Sequence, residues 1–175
     1  MQTPLERARQ IRMVIFDVDG VLTDGSLCVS DDGREYKAFY ARDGLGMQML
    51  LATGVTIGII TGKTSQIVTH RMRMLGIQHV LQGKLDKLPA FQQLCAELQL
   101  EPYQVAYVGD DVNDLPVMQE VGLAIAVADA HPRILEVSHW QTTIHGGRGA
   151  AREVCEFIME AQDTLIAQLS RYGIS

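Results

Sequence analysis

The sequence predicts an α/β fold built on a parallel sheet. Short apolar runs of strand length recur at Arg12 to Val18, Val55 to Thr61, His79 to Gln82, Val105 to Val108 and Leu123 to Val127, separated by segments of helical spacing. That alternation is the pattern of strand and crossover helix. A further observation bears on function: the first run ends in Asp17-Val18-Asp19-Gly20, two carboxylates where apolar burial stops.

The opening strand comes first in the chain and carries the chemistry. Residues i and i+2 of a strand project to the same side, so Asp17 and Asp19 can face one ligand at its carboxyl end while Gly20 lets the chain turn away. Aspartate titrates near ~3.9, so at neutral pH one carboxylate can attack an electrophile while its neighbour moves a proton. Phosphoryl transfer through an aspartyl-phosphate is the chemistry this pair suggests. A plain turn is the competing reading, because Asp and Gly are ordinary turn residues.

The next segment breaks the alternation. Ser26 to Ser30, Asp31-Asp32-Gly33 and Glu35 to Tyr40 read as strand, tight turn and strand, a small β-hairpin insert over about residues 25–41. It comes directly after the Asp pair and is placed to lean over the site. It is too short to seal a pocket, so a neighbouring subunit is expected to complete the cover, with the hairpin's edge strands as a pairing surface.

Apolar stripes predict four helices. Gly46 to Ala52 ends at Gly54; Ile67, Val68, Arg71, Met72 and Leu75 share a face that stops at Gly76. Glycine just past a periodic face is a C-terminal cap signal. Leu88, Phe91, Leu94, Cys95 and Leu98 mark the third helix, and Val154, Ile158, Ala161 and Leu165 mark the last. Core packing explains these stripes.

Polar signatures then recur at the ends of later strands, where an open α/β sheet places its ligands. Thr61-Gly62-Lys63 offers a hydroxyl, backbone amides and a cation to a phosphate oxygen. Lys87, opening the third helix, is a candidate to offset charge on a phosphoryl group, and Lys84 competes for that role. Gly109-Asp110-Asp111, with Asn113 and Asp114 behind it, packs carboxylates that repel unless a cation joins them. Mg2+ suits oxygen ligands that bridge carboxylate to phosphate. Helix capping by Asn113 or Asp114 before Pro116 is expected beside it. Arg148 and Arg152, set among glycines near the start of the last helix, make a further candidate anion site.

Bulk properties bound the partners. The 175 residues suit one domain spanning 1–175. A net charge of -6 and a pI near 5.3 argue against a broad nucleic-acid footprint. Cys28, Cys95 and Cys155 are widely spaced in apolar contexts, which predicts buried free thiols rather than a disulfide framework or zinc site. His70, His79, His131, His139 and His145 lack metal-ligand spacing. No apolar stretch approaches the roughly 20 residues of a membrane span, and Met1 to Gln10 is too polar for a signal peptide, so a cytoplasmic protein is expected.

Taken in order, Asp17-Val18-Asp19-Gly20, Thr61-Gly62, Lys87 and Gly109-Asp110-Asp111 with Asp114 resemble the four motifs of the haloacid-dehalogenase-like phosphatases. The hairpin insert, Arg42-Asp43-Gly44, Ala126-Val127-Ala128-Asp129-Ala130 and Gly146-Gly147-Arg148-Gly149-Ala150 with Arg152-Glu153 narrow the likeness to their 3-deoxy-D-manno-octulosonate 8-phosphate (KDO 8-phosphate) phosphatase group. The resemblance implies a Rossmann-like core with no separate cap domain, Mg2+ dependence, and a homotetramer whose hairpins and neighbouring subunits cover the site. It implies hydrolysis of a small sugar-acid phosphate in lipopolysaccharide precursor biosynthesis.

By position, the resemblance makes Asp17 the nucleophile and a metal ligand. Asp19 is the general acid and base, its backbone carbonyl also on the metal. Asp110 is the second carboxylate ligand, Thr61 holds a phosphoryl oxygen, and Lys87 neutralises developing charge. Tyr40, Ala41, Arg42, Asp43, Gly44, Lys63 and Arg71 fall where the group meets its substrate. The group commonly carries arginine at Lys63, and its members asparagine and arginine at Tyr40 and Gln48, so a related nonulosonate 9-phosphate is the alternative substrate. A noncatalytic oligomeric sugar-phosphate-binding domain is the alternative from another class, and a phosphomutase or nucleic-acid 3′-phosphatase the rival within enzymes.

Overall fold

The computed structural model describes residues 2–174. After a short helix, α1 (Pro4–Ala8), capped by Thr3 and Glu6, the chain enters β1 (Met13–Phe16). All four β1 side chains are fully buried, because the strand lies between β4 (Thr56–Ile60) and β6 (Val105–Gly109) and is covered on both faces. Beyond β4 lies β5 (His79–Leu81); beyond β6 lie β7 (Leu123–Ala126) and β8 (Trp140–Gln141). The sheet order is β5-β4-β1-β6-β7-β8, parallel throughout. Chain direction across the sheet reverses at β1, so the crevice at its carboxyl end is where such a sheet binds ligands.

The hairpin insert is a separate two-stranded ribbon, β2 (Cys28–Val29) against β3 (Glu35–Tyr36), turned by Gly33 at φ +80°. Its strands are shorter than expected. The helices are α2 (Ala41–Leu51), α3 (Gln66–Leu75), α4 (Leu88–Leu98), α5 (Leu115–Met118), α6 (Pro132–Val137), α7 (Ala150–Ala161) and α8 (Leu165–Ser170). Gly76 takes the left-handed cap that its position after α3 requires.

Four expectations are corrected. The helix expected from Gly46 begins at Ala41, so Ala41 to Gly44 form its first turn, with Asp43 favourably placed at the positive end. The last apolar stripe is two helices, since Asp163 at φ +56° breaks the chain between α7 and α8. Cys28 is exposed on the hairpin, while Cys95 and Cys155 are buried as expected. Asp114 is the N-cap of α5 as expected but makes no side-chain cap bond there; the side-chain cap is Asp111, one turn earlier, which accepts from Val112 N at 2.7 Å with Asp114 as its reciprocal partner. Two elements had no clear signal: β8 is only two residues long, and α6 is announced only by Pro132 after His131, whose Nδ1 caps it. Trp140 fastens β8 by stacking on Phe157 of α7, ring centres 4.1 Å apart. Among the described residues no helix is long and apolar enough to cross a membrane.

Candidate active site

The carboxyl ends of β1, β4 and β6 meet in a cleft of about 380 Å³ lined by Asp17, Asp19, Gly25, Thr61, Lys63 and Asp110, with Leu85 and Val112 at its lip. A larger recess of about 910 Å³ lies at the opposite end of the sheet, among Arg12, Thr56 and Gln104. Size is the wrong guide here, because among the described residues the clustered acids that make chemistry possible are at the carboxyl end.

Asp17 ends β1, buried, with Oδ1 accepting from Val18 N at 2.6 Å and Oδ2 2.8 Å from Lys87 Nζ. Lys87 is fully buried at the start of α4, which rules out a surface lysine, whereas Lys84 is half-exposed. An ammonium so placed loses hydration worth several kcal/mol and is tolerated only when paired. Its second partner is Asp114 Oδ1 at 2.6 Å. Burial favours the neutral amine, but the carboxylates of Asp17 and Asp114 more than offset this and hold the Lys87 pKa above its usual value.

Asp114 accounts for the rest of the geometry. Its Oδ1 also accepts from Tyr107 OH at 2.6 Å, and its Oδ2 accepts from Asp110 N at 3.0 Å. It therefore ties Lys87, β6 and the Asp110 loop together, and its oxygens are already engaged. One oxygen each of Asp17, Asp110 and Asp114 lies within 4.8 Å of the others. Burial, then the charge of Asp114, pushes the Asp17 carboxyl up to about 6. Burial, then Asp114 and Asp17, pushes Asp110 up to about 8. A divalent cation between Asp17 and Asp110 would relieve that repulsion, so the donor set fits a hard, oxygen-seeking ion. The approach is tight: a Cβ on Gly20 would lie 2.0 Å from Asp110 Oδ2.

Asp19 is partly exposed in the cleft, and its Oδ1 accepts from Lys37 Nζ, which arrives from the hairpin. Thr61 is buried at the end of β4 on the cleft wall, and exposed Lys63 stands 3.8 Å from Glu35 of β3. The hairpin thus touches both strand-end loops.

The remaining candidates lie outside this cleft. Tyr40, Asp43, Gly44 and Arg71 border a separate cavity of about 10 Å³ with Phe39 and Met72, enough for about one water. Asp43 is buried and accepts from Arg152 N at 2.8 Å, which anchors the start of α2 to α7. Burial raises its pKa, and its Oδ2 has no partner among the described residues. Arg71 sits over the Phe39 ring, 5.9 Å from its centre, and close behind Gly44. Ala41 is exposed on the first turn of α2. Tyr40, Arg42 and Arg148 border a third recess of about 250 Å³. Arg148 is 2.8 Å from Asp24, and Arg152 is 2.6 Å from Glu156, so both guanidinium groups have acidic partners.

Residue-by-residue reading missed the roles of Lys37, Glu35 and Tyr107, and it placed Asp114 in the acidic cluster without its bond to Lys87. Tyr107 had a signal, since a tyrosine inside an all-apolar strand needs a buried acceptor for its hydroxyl. The Ala126 to Ala130 and Gly146 to Ala150 segments buttress the site. His131 N donates to Asp110 O at 2.7 Å, Gly146 N to Asp129 Oδ1 at 2.9 Å, and Gly147 N to Val21 O at 2.8 Å.

The family profile of haloacid dehalogenase-like hydrolases matches residues 60–153. The chain is 50% identical over 161 residues to 3-deoxy-D-manno-octulosonate 8-phosphate phosphatase of Yersinia pestis, covering 92% of this chain and 86% of that protein. It is 47% identical, at the same coverage, to the enzyme of that name from Escherichia coli K12. The crystal structure of the Moraxella catarrhalis enzyme of that name, in complex with magnesium, phosphate and KDO, is 41% identical, with a TM-score of 0.95 over 97% of both chains. With its profile match, its likeness over 92% of the chain and its carboxylate-bearing sheet end, the chain belongs to the haloacid dehalogenase-like hydrolases, in the group of the octulosonate 8-phosphate phosphatases.

Proposed function

We propose that this chain is a Mg2+-dependent phosphoric monoester hydrolase that releases phosphate from KDO 8-phosphate. The observation that carries the reading is Lys87 bridging Asp17 and Asp114 beneath a cleft shared by Asp19, Thr61 and Asp110. The relatives' named activity supplies the substrate.

Each residue then has work to do. Lys87 holds Asp17 ionised and aimed, so its free lone pairs face phosphorus. As the Asp17–phosphorus bond forms, the bond from phosphorus to the sugar oxygen breaks and Asp19 gives that oxygen a proton. Water then attacks the aspartyl-phosphate, Asp19 takes a proton back, and Asp17 leaves as a carboxylate. Thr61 and Lys63 receive the phosphoryl oxygens, and Lys87 offsets charge in both steps. Asp17, the Asp19 carbonyl and Asp110 would hold Mg2+, which when bound screens the approach of carboxylate to phosphate.

Binding of the sugar acid falls to Tyr40, Ala41, Arg42, Asp43, Gly44, Arg71 and Arg148. Their separation from the cleft supports a site completed across subunits, with Arg42 and Arg148 exposed and Asp43 and Gly44 acting from within. The hairpin's exposed Leu27, Val29 and Tyr36 support a homotetramer. The whole chain acts as one domain, in the cytoplasm.

The test is phosphate release from a panel of sugar phosphates, including KDO 8-phosphate and a nonulosonate 9-phosphate, with and without Mg2+. Mg2+-dependent preference for KDO 8-phosphate is expected, and Asp17→Asn should abolish it while the fold persists. Preference for the nonulosonate would reassign the substrate, and no release from any member would favour a noncatalytic sugar-phosphate-binding domain.

A further inference from the structure

One buried cation beside the cleft has no part in these steps. Lys37 lies just past β3, its side chain is 2% exposed, and its ammonium lies 2.5 Å from Asp19 Oδ1 and 3.5 Å from Glu35 Oε1. Glu35 reaches on to Lys63 at 3.8 Å. A lysine near a surface cleft normally extends into water, because its ammonium is strongly hydrated and its stem is flexible. This one is buried against two acids instead, and burial of a charge persists only where its partners hold it. Among the described residues, Lys37 is the hydrogen-bond partner of the Asp19 side chain.

A carboxylate that transfers protons must be held within about 0.5 Å and 10–20° of its working geometry. Asp19 projects from a loop and keeps about a quarter of its side chain in solvent, so the β1 loop alone leaves its carboxylate free to rotate. We propose that Lys37 is a positioning residue for Asp19. It holds Oδ1, leaving Oδ2 to meet the leaving oxygen, and Glu35 anchors Lys37 in turn. The hairpin thereby sets the direction of the acid–base group as well as walling the cleft. This inference rests on the reading of Asp19 as the acid and base.

The experiment compares kcat/KM of the Mg2+-loaded enzyme on KDO 8-phosphate and on p-nitrophenyl phosphate. The first leaving group needs a proton; the second leaves as a stable phenolate. Lys37→Met should lower kcat/KM roughly 10- to 100-fold on the sugar phosphate and less than about threefold on the aryl phosphate. Lys37→Arg should restore most of the loss. In an Asp19→Asn background Lys37→Met should cost nothing further, because a residue acting only through Asp19 has nothing left to position.

Equal losses on both substrates, or a further loss in the Asp19→Asn background, would overturn the proposal and make Lys37 a contact to the phosphoryl group. If Asp19→Asn itself fails to discriminate between the substrates, the acid–base reading falls first. Should Lys37→Met not fold, Glu35→Gln keeps the Lys37–Asp19 pair and loosens its anchor. It must then show a smaller loss of the same selectivity, and an unselective result would overturn the idea.

Discussion

Lys87 Nζ stands 2.6 Å from Asp114 Oδ1, and neither side chain is exposed to solvent. Asp114 is the hub of the site, since Tyr107, Lys87 and the Asp110 amide all converge on it. As the proposed nucleophile, Asp17 needs a cation close by, and Lys87 stays in place because a second carboxylate, Asp114, holds it from behind.

Replacing Asp114 by Ala is expected to cost about 3–5 kcal/mol of stability, the range for breaking a buried pair and stranding its partner. Urea unfolding measures it, and kcat should fall in parallel as Lys87 loses its fixed direction. A stability loss below about 1 kcal/mol would mean that Asp17 alone suffices to hold the lysine.

Stability should also depend on pH and metal together. With Asp17 at about 6 and Asp110 at about 8, the folded protein binds more protons above pH 4 than an unfolded chain whose aspartates titrate near ~3.9. The contribution of these groups is therefore full below the unfolded value and declines as pH rises toward 8. In chelator, Asp110→Asn should remove the upper part of that decline, and Mg2+ should flatten it in the parent chain. Denaturant unfolding across the window checks this, and an unchanged slope in Asp110→Asn would reject the raised carboxyl.

Among the described glycines, Gly146 leaves the least room for a side chain. A Cβ there would lie 1.7 Å from Gly20 O, and Gly20 in turn backs onto Asp110. Gly146→Ala must push the Gly20 loop aside, so a stability loss of about 1–3 kcal/mol with a fall in kcat is expected. Thermal unfolding and steady-state kinetics would show it. Full activity in this variant would mean that the loops move apart without disturbing Asp19.

Arg148 is exposed and paired with Asp24, a surface pair of small worth. Arg148→Ala should leave thermal unfolding nearly unchanged. On KDO 8-phosphate it should raise KM roughly 5- to 10-fold with kcat retained, as loss of uniform substrate binding requires. Unchanged kinetics would remove Arg148 from the substrate's path.

Most of the sheet was legible because its strands are buried on both faces and read as continuous apolar runs. The ends of Arg12–Val18 and Val55–Thr61 shifted by a residue or two where backbone pairing stops. The first turn of α2 was hidden, since Ala41-Arg42-Asp43-Gly44 has no apolar periodicity and its Asp43 is buried by α7, far along the chain. Cys28 was misjudged for a related reason: its apolar neighbours belong to a ribbon that faces solvent.

The sequence by itself determined the parallel α/β class, the Asp17–Asp19 pair, and the placement of Thr61, Lys87 and Asp110 after strands or at a helix start. Those features are local, set by the apolar period and by the polar residues that end each run. Only the tertiary structure decided that Lys87 lies between Asp17 and Asp114, that Lys37 grips Asp19, and that Gly146 presses on Gly20. Those pairings join residues 18 to 126 positions apart in the chain. They exist because the sheet brings its strand ends together, and because a buried charge must find its counter-charge wherever the fold puts one.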